Sequence, residues 1–102
     1  MGEAIEYRIY AKNFKDAAQL EEFENLAADW ENGEYNGTGD EKKLEFECVY
    51  ENGWRGCGKS CADLIKAHFD GWLALNPNVV FKATAMYLEQ APIETEVERG
   101  EW

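Results

Sequence analysis

A two-layer α+β domain is the fold class this sequence predicts, with a four-stranded, mainly antiparallel sheet and two helices on one of its faces. Three observations carry the prediction. Apolar and polar residues alternate with the period of a half-buried strand in well-separated segments. Two other segments repeat apolar residues at helical spacing, each behind a residue suited to capping a helix. These segments follow one another in the order β-α-β-β-α-β. A chain of 102 residues, 45% hydrophobic and 14% aromatic, has material for one core. The expected organisation is one domain over residues 1–91, then an acidic tail or edge strand over 92–102.

Ala4 to Ala11 opens the series, with Ile5, Tyr7 and Ile9 on one side and Glu6, Arg8 and Tyr10 on the other. Asp16, with Gln19 three residues later, resembles a capping box. Leu20, Phe23, Ala27 and Trp30 then recur at helical spacing, which places Glu21, Glu22, Asn25 and Asp29 on the opposite face. No Lys or Arg occurs between Asp16 and Glu34. The glycine-rich run Asn32 to Asp40 reads as a flexible loop that ends this helix. Lys43 to Tyr50 alternates again, with Leu44, Phe46 and Cys48 against Glu45 and Glu47.

Asn52-Gly53 carries a two-residue hairpin signal, because both residue types tolerate positive φ. A short third strand over Trp54 to Cys57 would return from that turn. Ser60, followed by Asp63, caps a second helix that starts at Cys61 and is stopped near Leu75 by Asn76-Pro77. Val79 to Leu88, rich in β-branched and aromatic residues, supplies the last strand. The order is that of the ferredoxin-like split βαβ arrangement. The third strand is its shortest element and contains Gly56. Without that strand, the order would be β-α-β-α-β around a parallel or mixed sheet.

The formal net charge is −11. Such a surface repels nucleic acid and anionic membranes, and it suits a basic protein partner or simple solvation. MGEAIEYRIY lacks the apolar core of a signal peptide, and three cysteines without one point to reduced thiols in a cytoplasmic protein.

Residues Gly53 to Ser60 match G-x-x-x-x-G-K-[ST] and so resemble the Walker A motif of P-loop NTPases. That eight-residue resemblance implies phosphate or nucleotide binding through Lys59 and Ser60, and this is the alternative reading of function. A hairpin followed by a helix cap accounts for the same residues. The preceding strand carries Glu45 and Glu47, whereas a parallel strand covered on both faces is nearly all apolar. VVFKATAMYL offers no carboxylate for magnesium. No cofactor is expected.

Cys48, Cys57, Cys61 and the single His68 do not have metal-ligand spacing, since Cys61 and His68 lie about 10 Å apart along a helix. No metal is expected, and His68 reads as a structural side chain. No arrangement of nucleophile and base suggests an enzyme. Trp30 and Trp72 fit core positions, whereas Trp54 and Trp102 suit interface anchors.

The acidity remains, gathered on the first helix, in the loop after it and in the tail. In size and charge the chain resembles phage-encoded inhibitors such as anti-CRISPR proteins and nucleic-acid mimics, with no shared motif. This profile implies a non-catalytic domain that occupies a basic surface of a nucleic-acid-binding protein. Glu21, Glu22, Asp29 and Glu31 would make the contact, with Glu34, Tyr35 and the tail as secondary partners. Pairing through an exposed sheet edge is a third reading.

Overall fold

The computed structural model describes residues 5–54, 58–87 and 93–101. Its elements, in order, are β1 (Ile5–Lys12), α1 (Ala17–Ala28), β2 (Glu34–Asp40), β3 (Glu45–Gly53), α2 (Cys61–Leu75), β4 (Val80–Tyr87) and β5 (Ile93–Arg99). The strands form one antiparallel sheet in the order β2-β3-β1-β4-β5.

The period-two pattern of β1 decides which face is covered. Ile5, Tyr7, Ile9 and Ala11 are buried, while Arg8 on the other face is exposed. Capping sets where the helices begin. Asp16 accepts the Gln19 N–H at 2.8 Å, and Ser60 accepts the Asp63 N–H at 3.1 Å. Each bond satisfies a donor that the first helical turn leaves unpaired. α1 packs over β2 and β3, and α2 over β4 and β5. Phe23 and Phe69 meet between the helices at 5.6 Å, and each also touches Phe81 of β4. Both helices therefore share one face of the sheet, and no helix or strand among the described residues covers the opposite, open face.

Buried Gln19 ties the two loops at one end together. Its amide nitrogen donates to Asn76 Oδ1 at 2.8 Å, and its oxygen accepts from Asn78 Nδ2 at 2.9 Å. Asn13 and Asn78 exchange two further bonds, at 2.8 and 2.9 Å.

The α+β class and the two helices are as the sequence predicts, but the sheet has five strands instead of four. It therefore departs from the four-stranded ferredoxin-like order, with β5 added beside β4. Two assignments also change. The run Asn32 to Asp40, expected as a loop, contains edge strand β2. Its glycines face the helix layer, where a Cβ on Gly37 would collide with the Tyr35 ring and one on Gly39 with the Glu24 carboxylate. Those side chains fill the space that apolar residues fill elsewhere.

The expected hairpin at Asn52-Gly53 is instead a bulge at the end of β3. Asn52 does take a positive φ of 56°. The register passes from Tyr7↔Tyr50 to Ile5↔Gly53, which inserts one extra residue on β3. The real hairpin turn lies at residues 41–44. There Asp40 Oδ1 accepts the N–H groups of Lys42 and Lys43 at 3.0 and 3.1 Å, and Leu44 adopts φ 54°. β3 pairs instead with β1 and β2. Of the strand expected over Trp54 to Cys57, Trp54 lies beyond the end of β3, and Arg55 to Cys57 fall outside the described residues.

Two ionisable groups inside this core couple stability to alkaline pH. Burial pushes the Cys48 thiol from 9.0 up to about 12, and burial also raises the Tyr50 phenol, whose O–H donates to the Ala27 carbonyl at 2.5 Å. In the unfolded chain the thiol loses its proton first, so unfolding releases a proton at high pH. This contribution is intact below about pH 9 and is lost as pH rises from there towards 12. Thermal unfolding should show Tm falling steeply between pH 9 and 11, and less steeply after Cys48→Ala with Tyr50→Phe. Equal slopes in the two proteins would mean that other groups govern alkaline unfolding.

Candidate functional site

The charge of this molecule is divided along its sheet. Between Asp16 and Gly53, the segment that forms α1, β2 and β3, there are twelve Asp and Glu and two Lys. The rest of the chain sets nine Asp and Glu against eight Lys and Arg. In space, the first segment builds one lateral half: β2 and β3 are adjacent at one edge, and α1 lies over them. Nearly all the excess negative charge is therefore on one side of the fold. Like charges crowded on one side raise the local potential well above that of the same charges spread evenly.

The side chains expected to bind a partner fall on two surfaces of that half. Glu21, Glu22 and Asp29 are exposed on the outer face of α1 and at its C-terminal cap, and exposed Glu31 follows in the loop. Glu22 Oε1 also accepts from Trp72 Nε1 at 3.3 Å. Tyr35 lies on the helix side of β2, its ring 5.5 Å from that of Tyr50 and 36% of the residue exposed. Strand alternation puts Glu34 on the opposite side, the open face of the sheet. There it stands opposite Glu51, while Asp40 stands opposite Glu45 and Thr38 opposite Glu47. The acidic half thus wraps the β2 edge, with carboxylates above and below it.

Asp40, Glu45, Glu47 and Glu51 belong to this surface, although sequence reasoning did not assign them to the site. The available signal was the long interval with only two cations. What it meant depended on knowing that β2 pairs with β3.

Trp54 is a further surface feature with an unusual support. The residue is 51% exposed, yet its backbone is held from inside. Asn32, only 1% exposed, accepts the Trp54 N–H at 2.7 Å and donates to the Trp54 carbonyl at 3.0 Å. The buried Tyr7 hydroxyl donates to the same carbonyl at 2.8 Å. A large aromatic side chain is thereby presented from a fixed base just beyond the end of β3.

The Walker A-like stretch lies only partly within the described residues. Gly58 has a φ of +74°, Lys59 is exposed, and the Ser60 hydroxyl caps α2. The strand leading into it, β3, is antiparallel to both neighbours. His68 places Nε2 2.6 Å from the Leu26 carbonyl and stacks on Trp30, tying the two helices together. Cys48 and Cys61 are buried, and the Tyr7 hydroxyl lies 3.5 Å from Cys61 Sγ. Among the described residues, no group of three or more His, Cys, Asp or Glu side chains could hold a metal ion, and no helix is long and apolar enough to cross a membrane. Comparison with protein-family models, curated proteins and solved structures finds no match for this chain.

Proposed function

We propose that this chain is a non-catalytic acidic domain that binds a basic protein surface. In its specific form it is an inhibitor, of the anti-CRISPR or nucleic-acid-mimic kind, lying in the nucleic-acid groove of its partner. The observation that carries this reading is the segregation of charge into the half built from α1, β2 and β3. A groove that binds nucleic acid is lined by Lys and Arg that neutralise phosphates. A rigid acidic edge can engage the same cations. Glu21, Glu22, Asp29 and Glu31 present carboxylates from the helix side, Glu34 presents one from below, and Tyr35 lies at the rim. Trp54, at one end of this half, suits an anchor, since interface hot spots are enriched in tryptophan. Phosphate binding at Lys59 and Ser60 has weaker support, because Ser60 is engaged as a cap and the strand before it is not parallel.

The test begins with capture of partners from an extract of the source organism and continues with the purified partner. Reversal of Glu21, Glu22 and Asp29 to Lys should lower affinity at least tenfold, mainly through the association rate. Stability should change by no more than about 0.5 kcal/mol per substitution, since all three positions are exposed. A short nucleic-acid duplex should displace the partner, and physiological salt should weaken the unmodified protein more than the variant. Affinity indifferent to the reversal, to salt and to nucleic acid would place the interface elsewhere.

A further inference from the structure

The two edges of this sheet are unequally protected. Antiparallel pairing uses the backbone groups of alternate residues, so an outermost strand turns the others outward without a partner strand. β5, at one edge, interrupts that row. Its register passes from Ala85↔Thr95 to Met86↔Ile93, which inserts an extra residue on β5. β2, at the other edge, has no such break, because its pairs with β3 run on from Glu34↔Glu51 to Asp40↔Glu45. It is seven residues long and contains neither proline nor lysine, two common guards of a sheet edge. From Asn36 to Gly39 its side chains are small, so little stands along the row. Among the described residues, no strand pairs with its outer side.

Charge decides what can pair there. A second copy of the chain, joined antiparallel about Gly37, would set Glu34 opposite Asp40 at both ends of the new pair. It would also bring together two halves that each carry twelve Asp and Glu against two Lys. Within the fold Glu34 already faces Glu51, and Asp40 faces Glu45. Like charges opposed across strands are destabilising, so a further acidic strand adds to this repulsion and a basic one relieves it. The carboxylates guard β2 against its own kind and leave it open to a basic chain.

We infer that β2 is a docking strand, beside which an extended basic segment of the partner adds a sixth strand to the five of the sheet. Strand addition draws affinity from main-chain hydrogen bonds and specificity from alternate side chains. Glu34 and Asp40 share the open face, so Lys or Arg belongs on that side of the added strand. The other side borders exposed Tyr35 and suits an apolar side chain. Lys42 and Lys43 lie in the turn beyond Asp40, past the end of the row. The inference rests on the reading of the chain as a binder of basic proteins, and it names the backbone with which the partner pairs.

A capped octapeptide of alternating lysine and valine serves as the probe at low salt, with its glutamate–valine counterpart as control. The lysine peptide should bind and slow hydrogen exchange at the outward amides of β2 at least about tenfold, and the control should do neither. Two further peptides carry N-methyl groups on the lysines alone or on the valines alone. Alternate N–H groups of a strand point to one edge, so one of these peptides should lose at least about tenfold in affinity and the other should keep it. Loss with both or with neither, or β2 exchange that does not slow, overturns the docking strand. The Lys reversal of Glu21, Glu22 and Asp29 separates the two proposals. If the reversal abolishes peptide binding that never slowed β2 exchange, the acidic helix surface stands and the docking strand falls. If β2 protection persists through the reversal, the docking strand stands without the helix-side surface. Protection that appears without peptide and grows with protein concentration makes a second copy the occupant and overturns the basic segment. Absence of binding at low salt also overturns the docking strand, and leaves the acidic surface to be judged with the captured partner.

Discussion

Truncation of Phe23 to Ala is expected to destabilise the protein by about 3–5 kcal/mol, the range for deleting a buried aromatic ring. Phe23 is fully buried on α1 and sits where both helices and the sheet converge. Its ring centroid lies 5.2 Å from that of Trp72, 5.5 Å from those of Phe14 and Phe46, 5.6 Å from that of Phe69 and 6.2 Å from that of Phe81. Neighbours on three elements and in the loop before α1 cannot all relax into the space left behind, so the cavity penalty adds to the lost transfer energy. Domains of this size have only about 5–15 kcal/mol in hand. Urea denaturation followed by far-UV circular dichroism should therefore show a midpoint lower by at least about 1 M, with the slope retained. A loss below about 1 kcal/mol would contradict the packing of both helices over a single aromatic cluster.

That cluster was legible in the sequence because its residues recur with strong periods. Ile5, Tyr7 and Ile9 mark β1 by alternation, and Leu20, Phe23 and Ala27 mark α1 by helical spacing. The caps Asp16 and Ser60 fixed where the helices start, since a short polar side chain can satisfy a first-turn N–H only from that position. β2 was not legible. EYNGTGD has no apolar alternation, because the places where apolar side chains would sit are filled by Tyr35 folding over Gly37 and by Glu24 reaching across to Gly39. A strand supported by one folded-over ring of its own and one side chain from α1 looks locally like a loop. Asn52-Gly53 was ambiguous for a different reason. It signals positive φ, which a hairpin and a bulge both use, and only the non-local pairing of β3 with β1 and β2 decides between them.

The candidate site divides in the same way. The carboxylates of α1 were legible because helical spacing alone puts Glu21, Glu22 and Asp29 on one exposed arc. Their continuity with Asp40, Glu45, Glu47 and Glu51 was not, because it arises only when the β2–β3 hairpin closes and α1 lies over it. The consequence is a molecule with direction. Its α1-β2-β3 half carries almost the whole excess charge, so the field of a basic partner would turn that edge towards it before contact.

The second large loss is expected at Asn32, where Asn32→Ala should cost about 2–3 kcal/mol although no apolar contact of the core is touched. The Asn32 amide is buried, and the Trp54 backbone answers both its donor and its acceptor. Removing it strands the Trp54 N–H, and a buried group left without a partner costs about 1–3 kcal/mol. The Trp54 carbonyl keeps the Tyr7 hydroxyl, so the loss should fall short of that for Phe23→Ala. Asn32→Asp separates the hydrogen bonds from simple packing. It is nearly the same size and still accepts the Trp54 N–H, but it turns a carboxylate oxygen towards the Trp54 carbonyl in a buried site. Its cost should therefore equal or exceed that of the alanine variant. Hydrogen exchange at the Trp54 amide gives an independent readout and should accelerate in Asn32→Ala beyond the change in global stability, because that variant alone removes the acceptor of this N–H. Binding of the basic partner should weaken as well, because Trp54 would lose its fixed base while every surface side chain stays in place. A stable Asn32→Ala protein with unchanged Trp54 exchange would mean that Tyr7 alone holds the anchor.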